Sequence, residues 1–294
     1  MDQKIIDLYD AFTHGALERR DFLDRLGQVA GGAAAAAALL GVLQNDYAQA
    51  AQIAENDPRL AAGTVEYAAS GTRVSGYLAR PKGGGRRPAV VVVHENRGLN
   101  PHIRDVARRL AVEGFLALAP DALSPLGGTP ADEDKARELI GTLDRAQTVA
   151  RLAAAVPYLA SHPESNGKVG AVGFCWGGGM VNRLAAAGTA LSAAVAYYGQ
   201  TLPAEEVPRV SAPLLLHYAG RDERINAGIP AFEAALKEHE KPYQLFVYEG
   251  AQHAFNNDTN AARYDKSAAE LAWGRTVEFL RKRLGAGGDS ASAR

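Results

Sequence analysis

Between Pro58 and Leu284 the sequence alternates short apolar runs with amphipathic segments, and this alternation constrains the fold more than any other feature. Ala89–Val93 is entirely apolar and rich in valine, which is typical of a strand buried on both faces of a parallel sheet. Ile103–Val112 follows it with helical periodicity. Because strands that alternate with helices form βαβ units, we expect an α/β domain with a mostly parallel central sheet and helices on both faces.

The remaining elements of this domain are predicted from the same patterns. Further strands are expected at Val74–Ala79, Phe115–Ala119, Val169–Phe174, Ala193–Tyr198, Leu214–Tyr218 and Gln244–Tyr248. Further helices are expected at Asp132–Leu159, Gly177–Ala187, Pro230–His239 and Ala262–Leu284. The first predicted strand is therefore Val74–Ala79.

The composition excludes several classes of protein. The 294 residues are 47% hydrophobic and 22% charged, which is ordinary for a globular chain that folds without disulfides or metals. A formal net charge of −1 gives no basic surplus, so we predict no nucleic-acid partner. The single cysteine, Cys175, excludes an intramolecular disulfide. No cluster of His, Cys or Asp has the sequence spacing of metal ligands, so neither a metal nor a cofactor is expected.

Residues 1–57 form a separate Ala-rich segment. Arg19-Arg20, the apolar run Val29–Leu43 and the sequence Ala48-Gln49-Ala50 resemble a twin-arginine export signal, which would place the protein in the periplasm. The apolar run is too short for a comfortable membrane span, so we expect no stable membrane insertion. The alternative is a retained helical segment that packs on the main domain, residues 58–284, of a cytoplasmic protein. The tail, residues 285–294, lacks apolar content and is predicted to be disordered.

The strongest local motif is the sequence GFCWGGG, residues 173–179, between a predicted strand and a predicted helix. A sharp strand-to-helix turn of this kind presents a nucleophile, here Cys175, and needs glycine on either side because larger side chains would collide. The following helix directs its N-terminus at the sulfur and favours a thiolate. The alternative is a buried core cysteine, but strand, turn, glycines and helix together favour the nucleophile.

Two further residues complete a candidate triad. Asp222 follows the predicted strand Leu214–Tyr218, and His253 lies in a loop after the predicted strand Gln244–Tyr248. Each residue alone could belong to an ordinary turn. Their order along the chain, nucleophile then acid then histidine, is the order of the α/β-hydrolase fold.

The loop after Ala89–Val93 reads HENRGL and is the second part of the candidate site. We expect the backbone N–H groups of Asn96 and Trp176 to form an oxyanion hole. Glu95 would raise the pKa of a neighbouring thiol or accept its proton. Tyr198 and Phe255 are predicted to line the substrate pocket, although strand aromatics more often pack in the core.

Together these motifs resemble the dienelactone hydrolase family, also called carboxymethylenebutenolidases, from about Val65 to Leu284. The resemblance rests on GFCWGGG, HENRGL, AGRD and GAQHAF. It implies a cofactor-free, monomeric or weakly dimeric enzyme, with Cys175 as nucleophile, His253 and Asp222 completing the triad, and Glu95 holding the thiol proton until substrate binds. The Ala-rich leader and the sequence HENRGLNP are similar to an extended subgroup of the family.

The residues expected to bind the substrate depart from the family pattern. The family uses arginines to hold a substrate carboxylate, but the stretch after His253 and the loop Asp121–Gly128 contain none. We therefore expect hydrolysis of a small ester or enol lactone through a thioester acyl-enzyme. The alternatives are a broad carboxylesterase and a thiol-based redox sensor on a hydrolase scaffold.

Overall fold

The computed structural model describes residues 1–285, without the side chains of Ala48 and Gln49. Within this range one continuous sheet contains eight strands. The predicted disorder of the tail lies outside the described residues except for Gly285, as do the first two side chains of the proposed cleavage sequence. The strands are β1 Leu60–Ala69, β2 Thr72–Pro81, β3 Arg87–Val93, β4 Leu116–Pro120, β5 Ser165–Phe174, β6 Leu191–Tyr197, β7 Leu214–Ala219 and β8 Tyr243–Tyr248.

The strands are arranged in the order β1-β2-β4-β3-β5-β6-β7-β8. The pairs β1/β2 and β2/β4 are antiparallel, and every other neighbouring pair is parallel. The predicted α/β-hydrolase architecture with a mostly parallel sheet is therefore confirmed. The carboxyl ends of β3, β5, β7 and β8 meet at one edge of the sheet, and the loops that carry the candidate motifs leave from this edge.

Helices cover both faces of the sheet. In β3, Val90 and Val92 pack in one layer and Val91 and Val93 in the other. All four are fully buried, which explains the continuous apolar run. The helices are α1 Gln3–Thr13, α2 Arg19–Ala30, α3 Ala33–Leu43, α4 Tyr47–Ala50, α5 Pro101–Val112, α6 Glu133–Gly141, α7 Arg145–Ala153, α8 Ala155–Ala160, α9 Trp176–Ala185, α10 Glu223–Asn226, α11 Ile229–Glu238 and α12 Lys266–Leu284. One layer is formed by α5 and α12, and the other chiefly by α7, α8, α9 and α11.

The single helix predicted over Asp132–Leu159 was wrong, because this stretch forms α6, α7 and α8. The helix is interrupted before α7, because the side chain of Asp144 accepts a hydrogen bond from the N–H of Gln147, 2.7 Å away, and so caps a new helix. The helical spacing of apolar residues continues across this break, so periodicity alone did not reveal it.

The N-terminal segment forms a small helical unit with its own apolar cluster. Phe12 of α1 stacks on Phe22 of α2 with ring centroids 4.6 Å apart, and Leu26 and Leu43 are fully buried beside them. Within residues 1–285 no single helix is long and apolar enough to cross a membrane, although α2 and α3, bent by 111°, together meet that length and composition. The unit packs on the main domain, as in the alternative to an export signal.

Candidate active site

Cys175 lies at a sharp turn between β5 and α9. Its backbone has φ 53° and ψ −116°, a conformation that residues other than glycine rarely adopt. A Cβ on Gly173 would lie 2.2 Å from the carbonyl oxygen of Gly177, and a Cβ on Gly177 would lie 2.4 Å from that of Val93. Glycine is therefore required at both positions, and the turn places Sγ at the positive N-terminus of α9.

Asp222 and His253 are brought together by the loops that follow β7 and β8. One carboxylate oxygen of Asp222 accepts a hydrogen bond from Nδ1 of His253 at 2.5 Å, and the other faces the N–H of Ile225 at 3.3 Å. The N–H of Arg221 donates to the carbonyl of Ala251 at 3.0 Å and ties the two loops together. One ring nitrogen of His253 lies within 4.8 Å of the sulfur of the cysteine at the turn.

The charges in this group support one another. Burial by itself would lower the pKa of His253, but the negative charges of Cys175, Asp222 and Asp10 together raise it to about 9. Burial would raise the pKa of Asp222, but the charge and hydrogen bond of His253 hold that pKa below its ordinary value. At neutral pH the arrangement therefore favours an imidazolium on His253, hydrogen-bonded to the carboxylate of Asp222 and close to the sulfur of Cys175.

The loop after β3 places Glu95 and Asn96 beside this group. Oε2 of Glu95 accepts a hydrogen bond from the side chain of Asn257 at 2.7 Å, and Oε1 has no hydrogen-bond partner among residues 1–285. His94 fixes the loop: Nδ1 donates to the carbonyl of Glu95 at 2.6 Å, Nε2 accepts from the N–H of Ala122 at 3.2 Å, and the ring stacks on that of Trp176.

The predicted oxyanion donors, Asn96 and Trp176, line the same cavity as Cys175. Trp176 is the first residue of α9, so its N–H has no acceptor within the helix. Asn96 is held from the other direction, because its side chain donates to the carbonyl of Thr13 at 2.8 Å. The oxyanion role of both amides stays a prediction.

His14 at the end of α1 is a site residue that the sequence patterns did not indicate. Its Nε2 lies 3.4 Å from Sγ of Cys175, and its ring meets that of His253 edge to face with centroids 4.6 Å apart. No local motif marks it, since 161 positions separate it from the cysteine. Only the packing of the N-terminal segment on the main domain brings it to the site.

The three donor atoms of His14, Cys175 and His253 lie within 4.8 Å of one another. Sequence spacing predicted no metal ligands, but the fold assembles a thiol and two imidazoles of the kind that bind Zn²⁺. The hydrogen bonds of each imidazole to a carboxylate or carbonyl also suit acid–base chemistry, and the arrangement can act on a substrate without a metal.

A cavity of about 870 Å³ opens beside Cys175 and is lined on one side by the N-terminal segment. Tyr198 lines it, with φ 37° and a hydroxyl that has no hydrogen-bond partner in the described chain, and its role in binding a substrate stays a prediction. Burial holds the pKa of this phenol well above its ordinary value, so it stays a neutral donor. Phe255 does not line the cavity: it is fully buried behind Tyr198, because its ring packs against those of Tyr197 and Tyr248.

The cavity carries arginines that the sequence motifs did not indicate. Arg19 and Arg137 pair with Asp134, and Arg224 lies 3.7 Å from a carboxylate oxygen of Asp10. Arg145 at the first turn of α7 makes no ion pair within residues 1–285. The lack of arginine after His253 therefore does not leave the cavity without cations.

The comparisons with known proteins agree with this fold. Residues 74–284 match the model of the dienelactone hydrolase family, and residues 1–31 match a second model, described as YqhI-like. A "Putative carboxymethylenebutenolidase" of Saccharolobus solfataricus is 32% identical over 256 residues, which cover 74% of this chain and 97% of the relative. A "Putative hydrolase fragment YghX" of Escherichia coli is 51% identical over 112 residues, or 37% of this chain and 96% of the fragment.

Solved structures show the same similarity. A structure described as a putative dienelactone hydrolase of Klebsiella pneumoniae superposes with a TM-score of 0.70 at 31% identity, covering 76% of this chain and 99% of the other. The dienelactone hydrolase-like promiscuous phosphotriesterase P91, from metagenomic libraries, has a TM-score of 0.69 at 29% identity, covering 77% and 100%.

An eight-stranded sheet with these loops defines an ester or lactone hydrolase of the α/β-hydrolase class. Within that class, the chain belongs to the dienelactone hydrolase family.

Proposed function

We propose that the protein hydrolyses small activated esters or enol lactones, with Cys175 as nucleophile. The observation that carries the proposal is the position of its sulfur at a strained turn, at a helix N-terminus and beside the hydrogen-bonded pair His253–Asp222. A positive φ at a non-glycine residue costs free energy, and such strain is concentrated at functional sites.

The reaction begins with attack of the Cys175 thiolate on the carbonyl carbon. The N–H groups of Asn96 and Trp176 stabilise the oxyanion, each by about 3–4 kcal/mol. The imidazolium of His253 gives its proton to the leaving oxygen, and a thioester remains on the sulfur. A base then takes a proton from water, the hydroxide adds to the thioester, and the thiolate leaves with release of the acid.

Glu95 has a different part in this proposal. Its Oε1 is buried without a hydrogen-bond partner in the described chain, while Oε2 is held by Asn257. A free carboxylate oxygen next to the site can accept the thiol proton in the absence of substrate. The hydrogen bond to Asn257 keeps the carboxylate in place for that exchange.

The test is hydrolysis of a panel of activated esters and enol lactones, each in a neutral and a carboxylate-bearing form because the cavity contains arginines. Cys175→Ala is expected to lose roughly 10⁴-fold or more in kcat, as removal of a nucleophile does in other triads. Parent-level activity of Cys175→Ala would overturn the proposal, as would a Cys175→Ser variant that exceeds the parent on every substrate. The range of neutral esters accepted separates a lactonase from a broad carboxylesterase.

A further inference from the structure

His14 occupies a place in the site that a triad does not need. Its Nδ1 donates to the carbonyl oxygen of Asp10 at 2.8 Å, and the carboxylate of Asp10 lies 3.2 Å from the same nitrogen. Both neighbours are acceptors, so the proton of the neutral ring is on Nδ1. The lone pair of Nε2 therefore faces Sγ of Cys175, 3.4 Å away.

The N-terminal segment holds this ring through several polar contacts with the main domain. The carbonyl of Thr13, the neighbouring residue, accepts a hydrogen bond from Asn96 in the loop after β3. One turn earlier in α1, the hydroxyl of Tyr9 accepts from Arg97 at 2.8 Å. At the start of α1, the side chain of Gln3 bonds Arg221 at 2.9 Å. The helix is thus fixed at both ends, and His14, the residue that follows it, lies beside the sulfur of Cys175.

The carboxylate of Asp10 is kept ionised by its surroundings. Burial would raise its pKa, but the positive charge of His253, the hydrogen bond from His14 and the guanidinium of Arg263, 3.6 Å away, hold that pKa well below its ordinary value. Arg224 adds a second cation at 3.7 Å. An ionised Asp10 stabilises a positive charge on His14 when its ring accepts a proton.

We propose that His14 is a further catalytic residue: the base that takes the proton from the water that hydrolyses the thioester. This inference rests on the proposed function. When the leaving oxygen has taken the proton of His253, water gives a proton to Nε2 of His14 and its oxygen bonds the acyl carbon. The carbon–sulfur bond then breaks and the pair of electrons returns to Sγ. The proton on His14 passes through Sγ to His253, which restores the starting state.

The division of roles follows from the different surroundings of the two rings. The pKa of His253 is raised to about 9, so at neutral pH the ring carries the proton that the leaving oxygen needs. Both rings line the cavity, but His14 is the more exposed, 13% against 5% for His253, so water reaches Nε2 of His14 more readily. The two imidazoles approach the sulfur from different elements, α1 and the loop after β8.

The test measures acylation and deacylation separately in full-length His14→Gln. Glutamine fills a similar space and can form hydrogen bonds, but it cannot accept the proton. With a p-nitrophenyl ester we expect a burst of about one nitrophenolate per enzyme, then a steady rate lowered by roughly 10²–10⁴-fold. The kcat/KM is expected to stay near that of the parent, and mass spectrometry should detect the acyl-enzyme.

Asp10→Asn tests whether the carboxylate of Asp10 positions His14 for the reaction. The backbone contact to His14 remains, so we expect a smaller fall in kcat, again with kcat/KM retained and acyl-enzyme accumulating. Asp21→Asn is the matched control, because Asp21 is an exposed carboxylate of the same segment, on α2. All assays contain EDTA, so that a metal on the three donor atoms does not contribute.

The outcomes separate this inference from the proposed function. Activity of Cys175→Ala equal to that of the parent overturns both. If Cys175→Ala is inactive but His14→Gln has the parent kcat, or lowers kcat/KM without accumulating acyl-enzyme, the inference fails alone. A His14→Gln variant that is faster than the parent would show that the ring obstructs the site.

Discussion

The neighbours of each histidine decide which nitrogen is free to react. Nδ1 of His253 bonds the carboxylate of Asp222, and Nδ1 of His14 bonds the backbone carbonyl of Asp10. Nε2 of each ring is therefore not hydrogen-bonded to a carboxylate of the described chain. His94, which also gives Nδ1 to a carbonyl, uses Nε2 to accept a backbone N–H and has no free nitrogen. The imidazoles of His14 and His253 are therefore open to reaction at Nε2, whereas that of His94 holds the loop after β3.

The raised pKa of His253 leads to a prediction for Cys175→Ala. Loss of the negative sulfur removes the leading attraction, so the pKa of His253 should fall from about 9 towards its ordinary value of 6.5. A raised pKa contributes stability that is complete below 6.5 and is lost as the pH rises through about 9. NMR titration of the ring measures the change, and the variant should lose less stability than the parent between these two pH values. A variant pKa that remained near 9 would contradict the assigned charge pair.

The sequence led to Cys175, Asp222 and His253 because each follows a strand and the parallel strands end at one edge of the sheet. The structure brings all three together, whereas it places Phe255 behind the cavity wall. A pattern shows that an aromatic residue is close to a loop, but only packing decides which side of Tyr198 it occupies. His14 could not be predicted, since its place depends on how two separately folded units dock.

At the scale of elements, the turn into α9 depends on the absence of side chains. Val93 at the end of β3 and His94 after it leave no room at Gly177, where a Cβ would lie 2.4 Å from both carbonyl oxygens. The same exchange of glycine for alanine has the opposite consequence at Gly274, an exposed position inside α12 with no atom within 4 Å of the new Cβ.

We therefore expect Gly177→Ala to lower the free energy of unfolding by about 1–3 kcal/mol or more. Gly274→Ala should leave it unchanged or raise it by about 1 kcal/mol, because alanine favours the helix. Urea unfolding of both variants and the parent measures the difference. Equal stability of the two variants would be incompatible with the close approach of the loop after β3 to α9.

Most elements of the main domain could be predicted from periodicity, but β1 could not. It pairs with β2 along its whole length at the edge of the sheet, and most of its side chains are exposed or half-buried. Its sequence, LAAGTVEYAA, contains apolar residues but no sustained alternation of apolar and polar positions, so periodicity did not mark it as a strand. The break between α6 and α7 was missed because apolar residues continue across it.

At the scale of the whole molecule, the N-terminal segment lines one side of the cavity beside Cys175. Its apolar cluster is buried, and Asn260 donates a hydrogen bond to the carbonyl of Leu43 at 2.5 Å, which fixes the far end of the segment as well. If His14 acts as proposed, the working enzyme retains these residues.

Mass spectrometry of the protein from its native cell tests that expectation. We expect peptides that contain His14 in the active form. A mature chain that begins after Ala50 and hydrolyses esters at the parent rate would show that the segment is an export signal and that the triad works without it.

The two ends of the described chain emerge at opposite ends of the sheet. Gln3 bonds Gln252, next to His253, whereas the carbonyl of Leu284 accepts a hydrogen bond from Asn166 at the start of β5. The ten residues of β5 separate these regions by roughly 30 Å. An affinity tag fused ahead of Met1 would therefore begin at the end of the sheet that carries His253. Removing such a tag before the assays ensures that the measured turnover is that of the untagged enzyme.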